Sequence, residues 1–348
     1  MGGNALKAHN LESKRLDAPE FHALCAKLTM DFALAFPGVR IEPIPSYRSK
    51  ADFGDLDLLV EREGFVAAGG VEALEAWVSV AGFSRGQVRN GAVTSVEWRD
   101  SAHQQVGFQV DFITSPAKEF DASLAYFSYN DLGNLMGRIA HKMGMVYGHE
   151  GLIFPMRDGT HEFDRIKVCG DARKSMSFLG YNPSRFDRGF DNLVDIYEFV
   201  VSSPYFNRDI YLLENRNHVS RTRDRKRKTY RGFLEWIEHR EDLPAFEYPE
   251  QKSEWITKIK EFFPDFGDAY QKSIERLAAR RFVAERFNGE VVSEMTGLTG
   301  ESLSKAMRHI RQTMSSDEIE QRLRADGIGG LREIISQAAA VASKSPRP

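Results

Sequence analysis

Two carboxylates, Asp55 and Asp57, flank Leu56 at the start of the apolar run DLDLLVE. Side chains of an extended strand alternate between faces, so both acids point the same way. No Lys or Arg lies between them, so they repel unless a divalent cation neutralises them, and hard oxygen ligands suit Mg²⁺. A third acid, Asp111, stands in the apolar run QVDFI with Val110 and Phe112 on the opposite face. If the two runs are neighbouring strands, all three acids meet at one spot. Three carboxylates around two Mg²⁺ ions, with Mn²⁺ as an alternative, suit an in-line phosphoryl displacement.

A lone Asp-x-Asp is more often a solvated strand end than a metal site, so the flanking residues decide its meaning. Ser46 lies nine residues before Asp55, next to Tyr47 and Arg48, and Gly54 precedes the acid pair. A hydroxyl, backbone N–H groups and a cation just upstream of the acids could hold phosphate oxygens.

The acids need a sheet to hold them, and the chain supplies one. Residues 18 to 36 place apolar groups at helical spacing and stop at Pro37-Gly38. Then VRIEPI, DLDLLVE, AVTSVEW and GFQVDFI read as strands, with GGVEALEAWVSVAGF as a helix packed on them. A helix follows Pro116, and DLGNLMGRIAHKMG continues in helical register with Asp131 placed to cap it. From about residue 185 amphipathic helices dominate: DNLVDIYEFVVSS, TYRGFLEWIEHRE, SEWITKIKEFF and DAYQKSIERLAARRFVAERF. The expected organisation is α+β, with a catalytic domain over residues 1–160 and a thumb-like and helical region over 161–345. The terminal SKSPRP is expected to be disordered.

The chain's 348 residues favour two domains, and 42% apolar with 11% aromatic content excludes collagen-like, coiled-coil and wholly disordered architectures. Its two cysteines, Cys25 and Cys169, are too few and too far apart for a disulfide framework or a Cys-x-x-Cys zinc cluster. No apolar run approaches the ~18 residues that a membrane span requires. A cytoplasmic protein with no membrane partner is the expectation.

The run Ser46-Tyr47-Arg48 followed by Gly54-Asp55-Leu56-Asp57 resembles the nucleotidyltransferase signature of family X DNA polymerases, the polymerase beta and terminal transferase group. The similarity continues after Asp111. The segment from Val110 to Phe154 resembles that family's palm-to-thumb segment, with Tyr126-Phe127, Asp131, Asn134, Arg138 and Glu150-Gly151-Leu152 at matching offsets. Together the two blocks cover about 110 residues, from 45 to 155. The resemblance implies a polymerase beta-like palm with a mixed or antiparallel sheet, followed by an all-helical C-terminal domain.

It also implies roles. Asp55 and Asp57 would bind both metals, and Asp111 would bind the catalytic metal and help deprotonate an attacking 3′-hydroxyl. Ser46 and Gly54 would contact the β and γ phosphates, with Arg48 or Lys50 as the cation. Tyr126 and Phe127 would lie against the sugar, Asp131 and Asn134 would contact the base, and Arg138 the template strand or primer end. Each residue also has a plainer reading. Tyr126 and Phe127 fit simple packing, Asp131 fits an N-cap, and Arg138 fits a solvated helix charge. Gly133, Gly137 and Gly144 are costly in a helix, at ~1 kcal/mol each against Ala, and imply close approach of a nucleotide, a strand or another helix.

The chain departs from the family at two points. Pro45 replaces the first glycine of the family's Gly-Ser pair, and Arg48-Ser49-Lys50 replaces Arg-Arg-Gly with one residue fewer before the acids. The phosphate-binding cation is therefore open between Arg48 and Lys50. Only 44 residues precede the motif, so base-excision lyase chemistry is not expected.

Although the net charge is −3, residues 208–231 hold nine basic and three acidic side chains, a local balance of +6. Arg221, Arg223, Arg225, Lys226, Arg227 and Lys228 in this run suit a phosphate backbone, so the average charge conceals a candidate nucleic-acid track. FNGEVVSEMTGLTGESLSKAMRHIRQ faintly resembles the C-terminal body of bacterial CCA-adding enzymes and poly(A) polymerases, which keeps RNA 3′ ends among the substrates. There is no Walker loop, Gly-x-Gly-x-x-Gly, Gly-x-Ser-x-Gly or His-Glu-x-x-His. His141, His149 and His161 lack metal-ligand spacing. The leading expectation is transfer of nucleotides from dNTP or NTP to a DNA or RNA 3′ end. A CCA-adding-like RNA enzyme and a catalytically inactive nucleic-acid-binding protein are the alternatives.

Overall fold

The computed structural model describes residues 5–6, 13–82, 84–99 and 107–343. The chain divides into two units, one of residues 1–155 with 165–266, the other of 156–164 with 267–348. Residues 165–266, expected with the C-terminal region, thus group with the first unit.

The first unit opens with a short strand, β1 (Leu16–Asp17), and helix α1 (Ala18–Ala35). Asp17 starts α1 with a capping box, its side chain accepting from the Glu20 amide while Glu20 reaches back. There follow β2 (Ile41–Pro43), β3 (Asp52–Phe53), β4 (Asp55–Glu61), α2 (Arg62–Ala67), α3 (Gly70–Ala81), β5 (Gln87–Asn90), β6 (Val93–Trp98) and β7 (Phe108–Ser115). Strands β2-β4-β7-β6-β5, in that order, form one mixed sheet, and β1 pairs antiparallel with β3. Within the sheet β4 and β7 run parallel and every other pair is antiparallel. A parallel neighbour needs a crossover, and α2, α3 and the β5–β6 hairpin lie between the two in sequence.

Alternation sorts the sheet's faces. Leu56, Leu58 and Val60 of β4, with Val110 and Phe112 of β7, are buried in one cluster with Phe21, Leu28 and Phe32 of α1 and Leu74 and Val78 of α3. The intervening residues of the same strands, including the three acids, face the other way.

A single turn of 3₁₀ helix, Ala117–Glu119, leads into α4 (Phe120–Phe127), and α5 (Leu132–Lys142) follows. Tyr129 and Asn130 turn the chain between these helices with φ of 60° and 63°, a left-handed conformation costly for a tyrosine. Strands β8 (Val146–Gly148), β9 (Gly151–Asp158) and β10 (His161–Cys169) form a separate three-stranded sheet. Helices α6 (Ala172–Phe178), α7 (Pro183–Asp187), α8 (Leu193–Val201), α9 (His218–Arg225), α10 (Lys228–Glu238) and α11 (Glu254–Phe262) complete the unit.

The second unit comprises the tip of the β9–β10 hairpin, most of α12 (Pro264–Arg286), and α13 (Gly289–Thr296), α14 (Gly300–Thr313), α15 (Ser316–Asp326) and α16 (Arg332–Ser343). Val292, Ala306, Ile310, Leu323, Leu331 and Ile335 are its core. Gly297, at φ 71°, ends α13 and turns the chain into α14. On the hairpin side, Ser273 and Arg276 of α12 bond Asp164 and Arg281 bonds Asp158. Of SKSPRP only Ser343 is described, as the last residue of α16, and the rest lies outside the described residues. Among the described residues no helix is long and apolar enough to cross a membrane.

Candidate active site

In the parallel pair β4–β7, Asp57 and Asp111 are register partners, with Leu56 opposite Val110. Asp55 lies two residues before Asp57 on the same face, so the three acids converge, with one carboxylate oxygen of each within 4.8 Å of the others. The strands are held by apolar residues on the far face, so the acids cannot move apart without breaking that core.

Burial and mutual repulsion dominate their electrostatics. Burial first, then the charges of Asp55 and Asp111, push the Asp57 carboxyl well above the usual carboxylate range. Burial also pushes Asp111 up to about 6, against the pull of hydrogen bonds from Ser95 and Gln109. Gln109 Nε2 lies 3.0 Å from both Asp111 oxygens, and Ser95 is Asp111's register partner on β6. Gln109 is two residues from Asp111, so alternation could have placed it at the site; Ser95 required knowledge of the register. An all-oxygen, strongly repelling donor set of this kind fits hard divalent ions, with Asp55, Asp57 and Asp111 as the holders.

The loop before the acids is tied down on its other side. Arg48 N donates to Phe190 O and Ser49 N to Asp191 O, while the Arg48 guanidinium pairs with Asp191 and donates to Arg188 O. Tyr129 N donates to Pro45 O, and its ring meets Phe186 and Phe190 edge-on. Lys50 instead turns inward. Its ammonium lies 4.4 Å from the Phe53 ring and feels the charges of Asp55 and Asp57, with burial lowering its pKa. Of the two candidate cations, Lys50 is beside the acids and Arg48 is engaged with Asp191. Ser46 is half-buried in the same loop, and Gly54 is buried immediately before Asp55.

Tyr126 packs its ring edge-on against Phe127 and Tyr147, and Phe127 stacks on His149. Gly133 is explained by this packing, because a Cβ there would lie 2.3 Å from the Tyr126 carbonyl oxygen. A Cβ at Gly137 would lie in ordinary contact, 3.5 Å from the Tyr147 carbonyl oxygen, and Gly144 takes a positive φ of 83°. The chain's own backbone therefore accounts for Gly133, and backbone conformation for Gly144.

One expectation fails outright. Asp131 stands at the N-cap position of α5, yet its side chain makes no cap hydrogen bond; its carboxylate pairs with Arg227. A guanidinium is a stronger partner for a half-buried carboxylate than a backbone amide, and it wins the competition. The neighbouring α5 residues behave alike. Asn134 Oδ1 accepts from Arg223 at 3.0 Å, and Arg138 Nε donates to Ile210 O at 3.1 Å.

The basic run is thus partly internal. Arg216 and Asp224 form an ion pair at 2.8 Å with side chains 2% and 0% exposed. Arg221 donates to Arg216 O, and Arg223 also bonds Asp224. Arg225, Lys226 and Lys228 are exposed on the surface. Two further cations act near this loop, Arg15, which no sequence motif marks, and Lys228 of the basic run. Arg15 pairs with Asp52 and feels Asp55, while Lys228 lies within electrostatic reach of Asp52. No family model matches the chain, and no curated protein matches it significantly.

Proposed function

We propose that the chain is a divalent-metal-dependent nucleotidyltransferase, adding nucleotides from dNTP or NTP to a nucleic-acid 3′-hydroxyl with release of pyrophosphate. The observation that carries this reading is the convergence of Asp55, Asp57 and Asp111 on adjacent parallel strands, within 4.8 Å of one another. Divalent ions held there would neutralise charge on the transferring phosphate, the attacking oxygen and the departing pyrophosphate.

The chain's own residues supply the rest. Asp111, held in place by Gln109 at 3.0 Å, would stand next to the attacking 3′-hydroxyl and accept its proton. Lys50, whose ammonium lies 4.4 Å from the Phe53 ring, would supply the cation for the phosphates, with Ser46 and Gly54 in the same stretch before the acids. Tyr126, beside the turn into α5, supplies a flat face for a sugar, and the exposed Arg225 and Lys226 suit the acceptor strand's backbone. The resemblance to the family X palm, in two ordered blocks that include these same acids, points the same way.

Incubating the protein with a labelled oligonucleotide, Mg²⁺ and each dNTP and NTP in turn tests it. Wild type is expected to lengthen the strand and Asp111→Ala to leave it unchanged. A preference for NTPs and a tRNA acceptor end would select the RNA branch of this reading. Absence of extension in both proteins would select a nucleic-acid-binding role without catalysis.

A further inference from the structure

The hold on Asp111 reaches back to the start of the chain. Gln109 is 2% exposed, and its carboxamide is engaged at both ends. Nε2 lies 3.0 Å from each Asp111 oxygen, while Oε1 accepts from the Ala5 backbone N–H at 3.0 Å. The Gln109 main-chain N–H in turn donates to Ser13 Oγ at 3.1 Å. Residues on the N-terminal side of α1 thus meet Gln109 at two separate points.

The backbone seats them there. Ser13 bridges Gly107 in parallel, and Lys14 N donates to Gly107 O at 2.9 Å. Gly107 lies so close to Glu97 that a Cβ would stand 2.2 Å from its Cγ. Leu6, the residue after Ala5, is fully buried. Glu97 is the register partner of Gln109 on β6, and it is engaged with Arg99 at 2.6 Å, both side chains being buried.

A carboxamide can present either end to a neighbour, and the donor at Ala5 decides which. Its oxygen accepts and its nitrogen donates, so an N–H on one side of Gln109 draws Oε1 and leaves Nε2 for the carboxylate. A flipped amide would set two donors face to face at Ala5 and an oxygen against Asp111, with no solvent to relieve either.

We propose that the N-terminal segment is a working part of the acid site: the Ala5 N–H orients Gln109, and Gln109 positions Asp111 for metal and for the attacking hydroxyl. Ala5 and Gln109 are positioning groups, acting only through Asp111. The consequence for turnover rests on the nucleotidyl-transfer reading, whereas the coupling from Ala5 to Asp111 does not. A hydrogen bond to a metal-holding carboxylate fixes its direction, and loss of such a partner weakens metal binding by about 10–100-fold.

Three variants separate the links. Ala5→Pro deletes the donor without changing any side chain of the acid site, Ala5→Gly keeps it, and Gln109→Leu removes the amide. With isotope-labelled glutamine in EDTA, the Gln109 side-chain amide is recognised as the NMR signal missing from Gln109→Leu. It is expected to exchange slowly with solvent in wild type and Ala5→Gly, and faster in Ala5→Pro. Calorimetric titration with Mn²⁺ is expected to show affinity about tenfold weaker in Ala5→Pro and Gln109→Leu, and unchanged in Ala5→Gly. In extension assays Ala5→Pro is expected to lower kcat and leave KM for the nucleotide unchanged. A merely structural role would lower the unfolding temperature and leave the Mn²⁺ affinity of the folded protein as it is.

Equal amide exchange or equal Mn²⁺ affinity in wild type and Ala5→Pro would overturn the coupling, as would an Ala5→Gly variant that falls with Ala5→Pro. A wild type that binds no Mn²⁺ would overturn it as well. Faster exchange and weaker Mn²⁺ binding in Ala5→Pro, with no strand extension by wild type, would uphold the coupling and count against the transfer reading alone.

Discussion

Asp57 and Asp111 are register partners on adjacent parallel strands, facing away from the core that fixes those strands. The fold therefore forces two negative charges together, with Asp55 as a third, and stores a repulsion that a bound cation relieves. Mn²⁺ or Mg²⁺ at about one hundred times its dissociation constant is expected to stabilise the protein by about 2.7 kcal/mol. Asp57→Asn should lose most of that gain while being at least as stable as wild type in EDTA. Thermal unfolding with and without metal checks both; an equal metal-induced shift in the variant would contradict the account.

The same repulsion sets a pH dependence. Asp111 rises from 3.8 to about 6 on folding, so its contribution is complete below about 3.8 and is lost as pH climbs through about 6. The metal-free protein should accordingly lose stability across that interval, with Asp57 acting in the same direction. Metal affinity should rise over the same interval, because the ligands bind as carboxylates. Unfolding and metal titrations at stepped pH check this, and Asp111→Asn should flatten both profiles.

The basic run should divide into scaffold and surface. Removing one partner of the buried Arg216–Asp224 pair, as in Asp224→Ala, leaves an uncompensated charge and should cost about 3–5 kcal/mol. Exposed Arg225→Ala should change stability by no more than ~0.5 kcal/mol while weakening nucleic-acid binding. Urea unfolding together with a binding titration separates the two.

Gly133→Ala places a methyl group 2.3 Å from the Tyr126 carbonyl oxygen and 2.7 Å from its ring. The chain must shift to accept it, at roughly 1–3 kcal/mol. Since Tyr126 adjoins the proposed nucleotide site, the variant should also raise KM for the nucleotide. Unchanged stability and kinetics would argue against this packing.

The acid site was legible because its signal is local. A two-residue repeat puts Asp55 and Asp57 on one face, and apolar neighbours mark β4 and β7 as core strands. Helix α1 was equally plain, with apolar residues at helical spacing and Pro37-Gly38 beyond its end. Strands β5 and β10 gave no such signal, because their residues are almost all exposed or half-buried and show no apolar alternation. The partners of Arg48, Asp131 and Arg15 were hidden for a different reason. Arg48 meets Asp191 across 143 residues, Arg227 meets Asp131 across 96, and Arg15 meets Asp52 across 37. Such pairings follow from tertiary geometry, which neither residue type nor spacing encodes. Asp131 has the residue type and position of a helix cap, and only the fold shows an arginine taking its carboxylate.

The most direct test of nucleotidyl transfer follows nucleotide incorporation and pyrophosphate release in one reaction containing a 3′-hydroxyl strand and Mg²⁺. Wild type is expected to release one pyrophosphate for each nucleotide added, and Asp57→Asn to give neither product. Pyrophosphate release without incorporation, or equal incorporation by wild type and Asp57→Asn, would contradict the account.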